Sequence, residues 1–245
     1  MTKKAIVMGA TSGIGLAVVK LLSEQGYELG IAGRRLDNLK EVKEQFSGVK
    51  EFESIDITKE DSPQKLENLI ERLGGMDLYF HSSGIGYQNG ELDADMELRT
   101  IETNCSGLTR MVDTVFHYFA RNQSKGQIAV ITSIARTKGI GLAPAYSATK
   151  RFQSTYVQAL AQLASTKNMD VTFTEIRPGF VDTALLKHEY PMLLKPEKVA
   201  QKIVKAVRQK RRVVTIDWRY KLLVYAWQLI PNCIWEKLNL MKLTN

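Results

Sequence analysis

Short apolar runs and stretches of helical periodicity alternate from one end of this chain to the other, and few architectures accept that order. Residues 4–8 read as a buried strand stopped by Gly9, and residues 14–25 place Ile14, Ala17, Val18, Leu21 and Leu22 at helical spacing before Gly26. Strand-like runs follow at 27–32 and 49–55, with a polar helix at 36–46 between them. Ser62-Pro63 opens the next helix as an N-cap followed by proline at the first helical position, and Gly74-Gly75 closes it after Leu73. Strands at 78–82, 128–132, 171–176 and 213–216 then alternate with helices at 95–119, 145–165 and 197–209. Strand–helix alternation demands right-handed parallel crossovers. The chain is therefore expected to be α/β, a single-domain doubly wound parallel sheet of Rossmann-like form. About seven strands should carry helices on both faces over residues 1–217, with 218–245 as a separate apolar tail. Such sheets bind ligands beyond the carboxyl ends of their strands.

A chain of 245 residues with 44% apolar content builds such a core without disulfides. Its two cysteines, Cys105 and Cys233, suit a reducing compartment and match no metal-ligand spacing, and His81, His117 and His188 are scattered. His81 reads as a packed strand residue. The net charge of +8 admits nucleic acid, an anionic membrane or an anionic cofactor as partners. No basic-aromatic nucleic-acid motif is present, so nucleic acid is set aside. Six basic residues fall within Lys202–Arg212, either as a solvated helix face or as a contact for an anionic surface. The first apolar run is too short for a signal peptide, and the expected location is cytoplasmic.

The first strand-to-helix turn reads Gly9-Ala10-Thr11-Ser12-Gly13-Ile14-Gly15. Glycine allows positive φ and close approach of the backbone, and the helix N-terminus that follows offers free N–H groups to a pyrophosphate. At the end of the second strand stand Arg34 and Arg35, with no acidic residue. An acid there would bind a ribose 2′-hydroxyl, whereas arginine accommodates a 2′-phosphate, so NADP(H) is the expected cofactor. Ser12 can reach the same phosphate. Further along, Ser133 ends the fifth strand and Tyr146 and Lys150 follow at i, i+4, one turn apart on one helix face.

The glycine turn with Ser133, Tyr146 and Lys150 resembles the short-chain dehydrogenase/reductase family over residues 5 to about 183, with Met8 where that family has threonine. The resemblance implies hydride transfer between NADPH and a ketone or aldehyde. Tyr146 would act as general acid, Lys150 would lower the phenol's pKa, Ser133 would bond the substrate oxygen, and Asn104 would hold a water that relays protons through the lysine. Tyr146 and Lys150 would also contact the cofactor. Asp56 matches an adenine-contacting aspartate, and Gly84 is what remains of the family's N-N-A-G in His81-Ser82-Ser83-Gly84. Pro178, Gly179, Val181 and Thr183 match a segment that cups the nicotinamide. Relatives often pair as homodimers or homotetramers through two long helices.

Residues 184–196, with Leu185, Leu186, Tyr190, Met192, Leu193 and Leu194, are expected to form a substrate lid suited to an apolar carbonyl compound, small or lipid-like. The tail carries all three tryptophans, Trp218, Trp227 and Trp235, but Pro231 and its charges interrupt it, and spanning a bilayer takes about 20 apolar residues. It packs on the domain or a partner copy, or it lies in a membrane interface. The fold alone also admits an NADP(H)-binding regulatory or scaffold protein.

Overall fold

A computed structural model describes residues 2–183 and 192–238. Seven strands form one sheet: β1 (Lys4–Met8), β2 (Glu28–Gly33), β3 (Val49–Ser54), β4 (Leu78–His81), β5 (Gly126–Ile131), β6 (Val171–Arg177) and β7 (Val213–Thr215). Their order is β3-β2-β1-β4-β5-β6-β7, and every pairing is parallel. The order reverses between β1 and β4, which sets a crevice at their carboxyl ends.

Both faces of the sheet are apolar, as a doubly covered parallel sheet requires. Along β1, Ala5 and Val7 face one layer and Ile6 and Met8 the other. The first layer is built by α1 (Gly13–Glu24), α2 (Leu36–Gln45) and α7 (Pro196–Arg208). The second is built by α3 (Ser62–Arg72), α5 (Leu108–Asn122) and α6 (Pro144–Thr166). Leu22 and Leu69 are buried on opposite sides, each contributing about 1.5–3 kcal/mol relative to exposure. On α7 the apolar stripe Val199–Ala200–Ile203–Val204–Val207 faces inward, while Lys202, Lys205 and Arg208 stand in solvent.

The expected single helix over 95–119 is two helices with a different turn between them. After α4 (Ala94–Ile101), residues Glu102–Gly107 form a π-helical turn that runs into α5. Gly107 is pressed against Ile57, where a Cβ would lie 2.7 Å from Cγ1. Asn104 is fully buried and its side chain bonds the loop after β4. The wider turn accommodates both demands, and such turns gather at functional sites.

The tail forms α8 (Trp218–Leu229) and the short α9 (Asn232–Trp235), and both pack on the domain. Tyr220, Val224 and Trp235 are buried, Trp235 Nε1 donates to Gly139 O at 2.7 Å, and Lys138 Nζ donates to Ile230 O at 2.8 Å. The outer side of α8 is also apolar: Trp218, Leu222, Tyr225 and Leu229 are exposed. Among the described residues no helix is long and apolar enough to cross a membrane.

Candidate active site

The crevice between β1 and β4 begins with the glycine turn. Gly9 and Gly13 take φ of +85° and +54°, a region that side chains resist. A Cβ on Gly15 would lie 2.0 Å from Gly9 O, and one on Gly9 would lie 2.8 Å from Ser83 N. The Gly9 and Ala10 N–H groups are spent on Ala32 O. Those at the start of α1, on Gly13, Ile14 and Gly15, have no acceptor within the helix, whose first internal bond is Leu16 N to Ser12 O. Side chains at these glycines would fill the cradle, so the turn fits a pyrophosphate.

Arg35 closes one side of that cradle. Its Nη2 donates to Thr11 Oγ1 at 2.6 Å and to Ser12 Oγ at 3.0 Å, which fixes the guanidinium over the turn. Arg34 is exposed beside it and near Asp56. Asp56 Oδ1 accepts from Thr58 N at 3.1 Å and Thr58 Oγ1 at 2.8 Å. Burial pushes this carboxyl up, but the Thr58 donors and Arg34 outweigh it and hold the carboxyl below its usual range.

The opposite wall comes from residues 178–183. A Cβ on Gly13 would meet Thr183 Cγ2 at 3.0 Å, so the two motifs touch. Val181 bridges Leu194, with Asp182 N donating to Leu194 O and Leu194 N to Phe180 O, both at 2.9 Å. In a parallel bridge those flanking groups make the bonds, and Val181's own N–H and C=O face the other way. Pro178 O accepts from Ile134 N at 3.0 Å, which ties this wall to the segment after Ser133. Of the expected lid, Leu185, Leu186 and Tyr190 lie outside the described residues, whereas Leu194 is buried and Met192 and Leu193 are exposed.

Ser133, Tyr146, Lys150 and Asn104 converge at the carboxyl ends of β4 and β5. Ser133 caps a 3₁₀ turn, Ile134–Thr137, its Oγ accepting from Ala135 N at 3.1 Å, and it hydrogen-bonds the Tyr146 phenol. Lys150 is 5% exposed, and its Nζ stands 5.7 Å from the Tyr146 ring centre. Asn104 Nδ2 donates to Ile85 O at 2.7 Å and Thr149 Oγ1 at 3.1 Å, while its Oδ1 accepts from Ile85 N at 2.9 Å. Gly84 lies beneath this cluster: a Cβ there would be 3.2 Å from Asn104 Oδ1 and 3.5 Å from Lys150 Nζ.

The electrostatics depart from the expected lowering of the phenol by Lys150. Burial raises the Tyr146 pKa, opposed by the Ser133 hydrogen bond. Burial likewise pushes Lys150 down to about 8. Desolvation is the largest influence on both groups, and the amine donates to Ile131 O at 3.2 Å and Gln153 Oε1 at 2.9 Å. His81 is buried, bonded through Nδ1 to Tyr79 OH at 2.9 Å, and pushed down to about 3 by burial and by Lys150, so it is a neutral packed residue as expected.

Three supporting residues were not anticipated. Gly86 lies under Tyr146, where a Cβ would be 2.5 Å from Cδ2; a second glycine two after Gly84 was the available signal. Tyr220 of α8 covers Gly179, its hydroxyl accepting from Phe180 N at 3.2 Å and donating to Met192 O at 3.0 Å. Gln153 is fully buried against Lys150. Neither of the last two carries a sequence signal.

Comparison with known proteins agrees with this geometry. The profile described as short chain dehydrogenase matches residues 3–193. Glycine betaine reductase ATRR of Emericella nidulans is 34% identical over 86% of this chain, which spans only 18% of that protein's length. The uncharacterized oxidoreductase SAR2567 of Staphylococcus aureus is 32% identical over 86% of this chain and 93% of its own. Among solved structures, the alcohol dehydrogenase of the archaeon Thermococcus sibiricus, complexed with 5-hydroxy-NADP, superposes with a TM-score of 0.76 at 28% identity, covering 88% of this chain and 96% of that one.

Proposed function

This chain belongs to the short-chain dehydrogenase/reductase family, and on that premise we propose that it reduces the carbonyl of a ketone or aldehyde with NADPH. The observation that carries the reading is the convergence of Ser133, Tyr146 and Lys150 beside the glycine cradle. A bound nicotinamide supplies the hydride. The chain's own residues do the rest. Ser133 and Tyr146 donate to the substrate oxygen, and Tyr146 gives up its proton as charge builds there. Lys150 then stabilises the phenolate that remains. Gly9, Gly13, Ile14 and Gly15 would hold the pyrophosphate, Arg34, Arg35, Thr11 and Ser12 the 2′-phosphate, and Asp56 the adenine. Gly84 gives the loop after β4 its close approach, while Pro178, Gly179, Val181 and Thr183 would orient the nicotinamide. The NADP-bound archaeal dehydrogenase supports the cofactor choice.

We propose further that the substrate is lipid-like and is met at an anionic membrane surface. Trp218, Leu222, Tyr225 and Leu229 recur at i, i+4, i+7 and i+11 on the outer side of α8, with Arg219 and Lys221 on its flanks. A helix apolar on its outer as well as its inner side asks for a cover, and aromatic rings beside cations suit a headgroup region. The inner side of the same helix, through Tyr220, holds the wall of the site. Pairing of two copies through α4 and α6 fits the exposed Leu98, Ile101, Phe152 and Leu163.

NADPH consumption across a ketone panel tests the chemistry. Tyr146→Phe should lose about 10²–10⁴-fold in rate while binding NADPH normally. Equal activity of the two proteins would remove Tyr146 as the acid, and no NADPH consumption by either would leave a cofactor-binding regulatory protein. Flotation with anionic and neutral vesicles tests the surface: replacing Trp218 and Leu222 by Ser should abolish binding to anionic vesicles, and unchanged behaviour would refute it.

A further inference from the structure

Gln153 lies one turn beyond Lys150 on α6, is fully buried, and takes no part in the steps above. A buried amide is costly unless both its ends are bonded. Here both are: Lys150 Nζ donates to Oε1, and Nε2 donates to Asn104 O, each at 2.9 Å. The orientation follows from chemistry, because an ammonium offers only donors and a carbonyl only acceptors. The π-helical turn presents the Asn104 carbonyl to this side chain of a neighbouring helix. One amide thus bridges Lys150 to Asn104.

We propose that Gln153 is the positioning residue of Lys150, pinning its amine beside Tyr146 and keeping it protonated; this rests on the reading of the site given above. Two of the three ammonium hydrogens go to Ile131 O and Gln153 Oε1, and the third is left for the Tyr146 side. The titratable groups facing Lys150 are Tyr146 on its own helix, Cys105 from the π-helical turn and His81 from β4. All three are neutral at pH 7, since burial pushes Tyr146 up, Cys105 up to about 11 and His81 down to about 3. No carboxylate acts on the amine among the described residues, and Gln153 is the one side chain there that accepts from it. The burden of stabilising the ammonium therefore falls on an amide dipole and one backbone carbonyl.

The test is a pH titration of Lys150 by NMR in full-length protein labelled with 13C at lysine Cε. The Lys150 resonance is identified by its loss in Lys150→Arg. Gln153→Met keeps length and volume and removes both polar atoms, and Gln153→Glu replaces the acceptor by a charged one. We expect the lysine pKa to fall by about one unit or more in Gln153→Met and to rise in Gln153→Glu, and the alkaline limb of kcat to move the same way. An amide that merely fills space would change thermal stability and leave the lysine pKa at its wild-type value in both variants, which overturns the proposal. Should Gln153→Met fail to fold, a Lys150 pKa in Gln153→Glu no higher than in the wild type overturns it equally. The titration needs no turnover, so an inactive wild type would defeat the proposed reaction while leaving this result to stand or fall by itself.

Discussion

Replacing Arg35 by alanine should turn a cofactor preference into near indifference. Its guanidinium is held over the glycine turn by Thr11 Oγ1 at 2.6 Å and Ser12 Oγ at 3.0 Å. A phosphate arriving there meets a cation already in place, so less side-chain freedom is lost on binding. A hydrogen bond to a charged group contributes about 1.5–3 kcal/mol, and about 1.4 kcal/mol is a decade in affinity. Arg35→Ala should therefore weaken NADPH about 10- to 100-fold and change NADH about 2-fold at most. Arg34 carries no such tether to the turn and lies nearer Asp56, so Arg34→Ala should cost less. Arg35→Lys keeps the charge but not the planar fork and should fall between. Fluorescence titration of each cofactor at fixed ionic strength measures this, and added salt should narrow the wild-type gap because the rim is exposed. Equal losses for NADPH and NADH in Arg35→Ala would refute the reasoning, since the residue would then be supporting the turn and not reading the phosphate.

Two stability effects follow from groups near the site. A methyl at Gly179 would lie 2.2 Å from Tyr220 Cε2 and Cζ, and that ring is fixed by two hydrogen bonds. Gly179→Ala should cost about 1–3 kcal/mol and lower Tm by several degrees, and adding Tyr220→Leu should recover part of the loss; a Tm equal to wild type would contradict the packing. Glu175, 2% exposed, is bonded by Arg177 at 2.8 Å through both carboxylate oxygens and by Thr132 at 3.0 Å. Burial pushes its carboxyl up, but Arg177, Ser154 and Arg136 prevail and hold it below the usual range. Its stabilisation is thus complete above the unfolded carboxyl value of about 4.3 and is lost as pH falls through the lower folded value. Glu175→Ala should cost about 3–5 kcal/mol at pH 7, with the Tm difference from wild type closing below about pH 4; a difference constant with pH would show that the charge contributes nothing.

The sheet was legible because apolar period and glycine punctuation are properties of short windows. Gly9, Gly26 and Gly74 mark the ends of elements that the structure places there. Ser133, Tyr146 and Lys150 were legible as a spacing, and the fold brings them together. The π-helical turn was not, because residues 95–119 keep a helical apolar pattern on either side of one widened turn. Tyr220 over Gly179 joins positions 41 residues apart, a pairing that no local pattern encodes. Gln153 is one polar residue in a helix with several, and what distinguishes it is its bonding to Lys150 and Asn104. The sign of the Tyr146 shift needed coordinates as well, since spacing reveals a nearby amine but not the depth at which both groups lie.

That depth gives the site its character. Of the four titratable groups gathered at Lys150, itself included, His81, Cys105 and Tyr146 are neutral at pH 7, and only Lys150, at about 8, is charged. The lysine loses its proton more easily folded than unfolded, so stability rises with pH from about 8 to the unfolded lysine value near 10.4. At pH 7 the fold therefore carries a buried ammonium at a net cost. No packing need explains it, because a methionine of similar length would fill the same space. What the charge does meet is an anion formed opposite it, such as the phenolate of Tyr146 after its proton leaves. In a site shielded from water that attraction is stronger than at the surface, and no dipoles need to reorient as the charge develops. The same burial that raises the phenol's pKa in the resting protein thus strengthens the pairing that lets the phenol act as an acid.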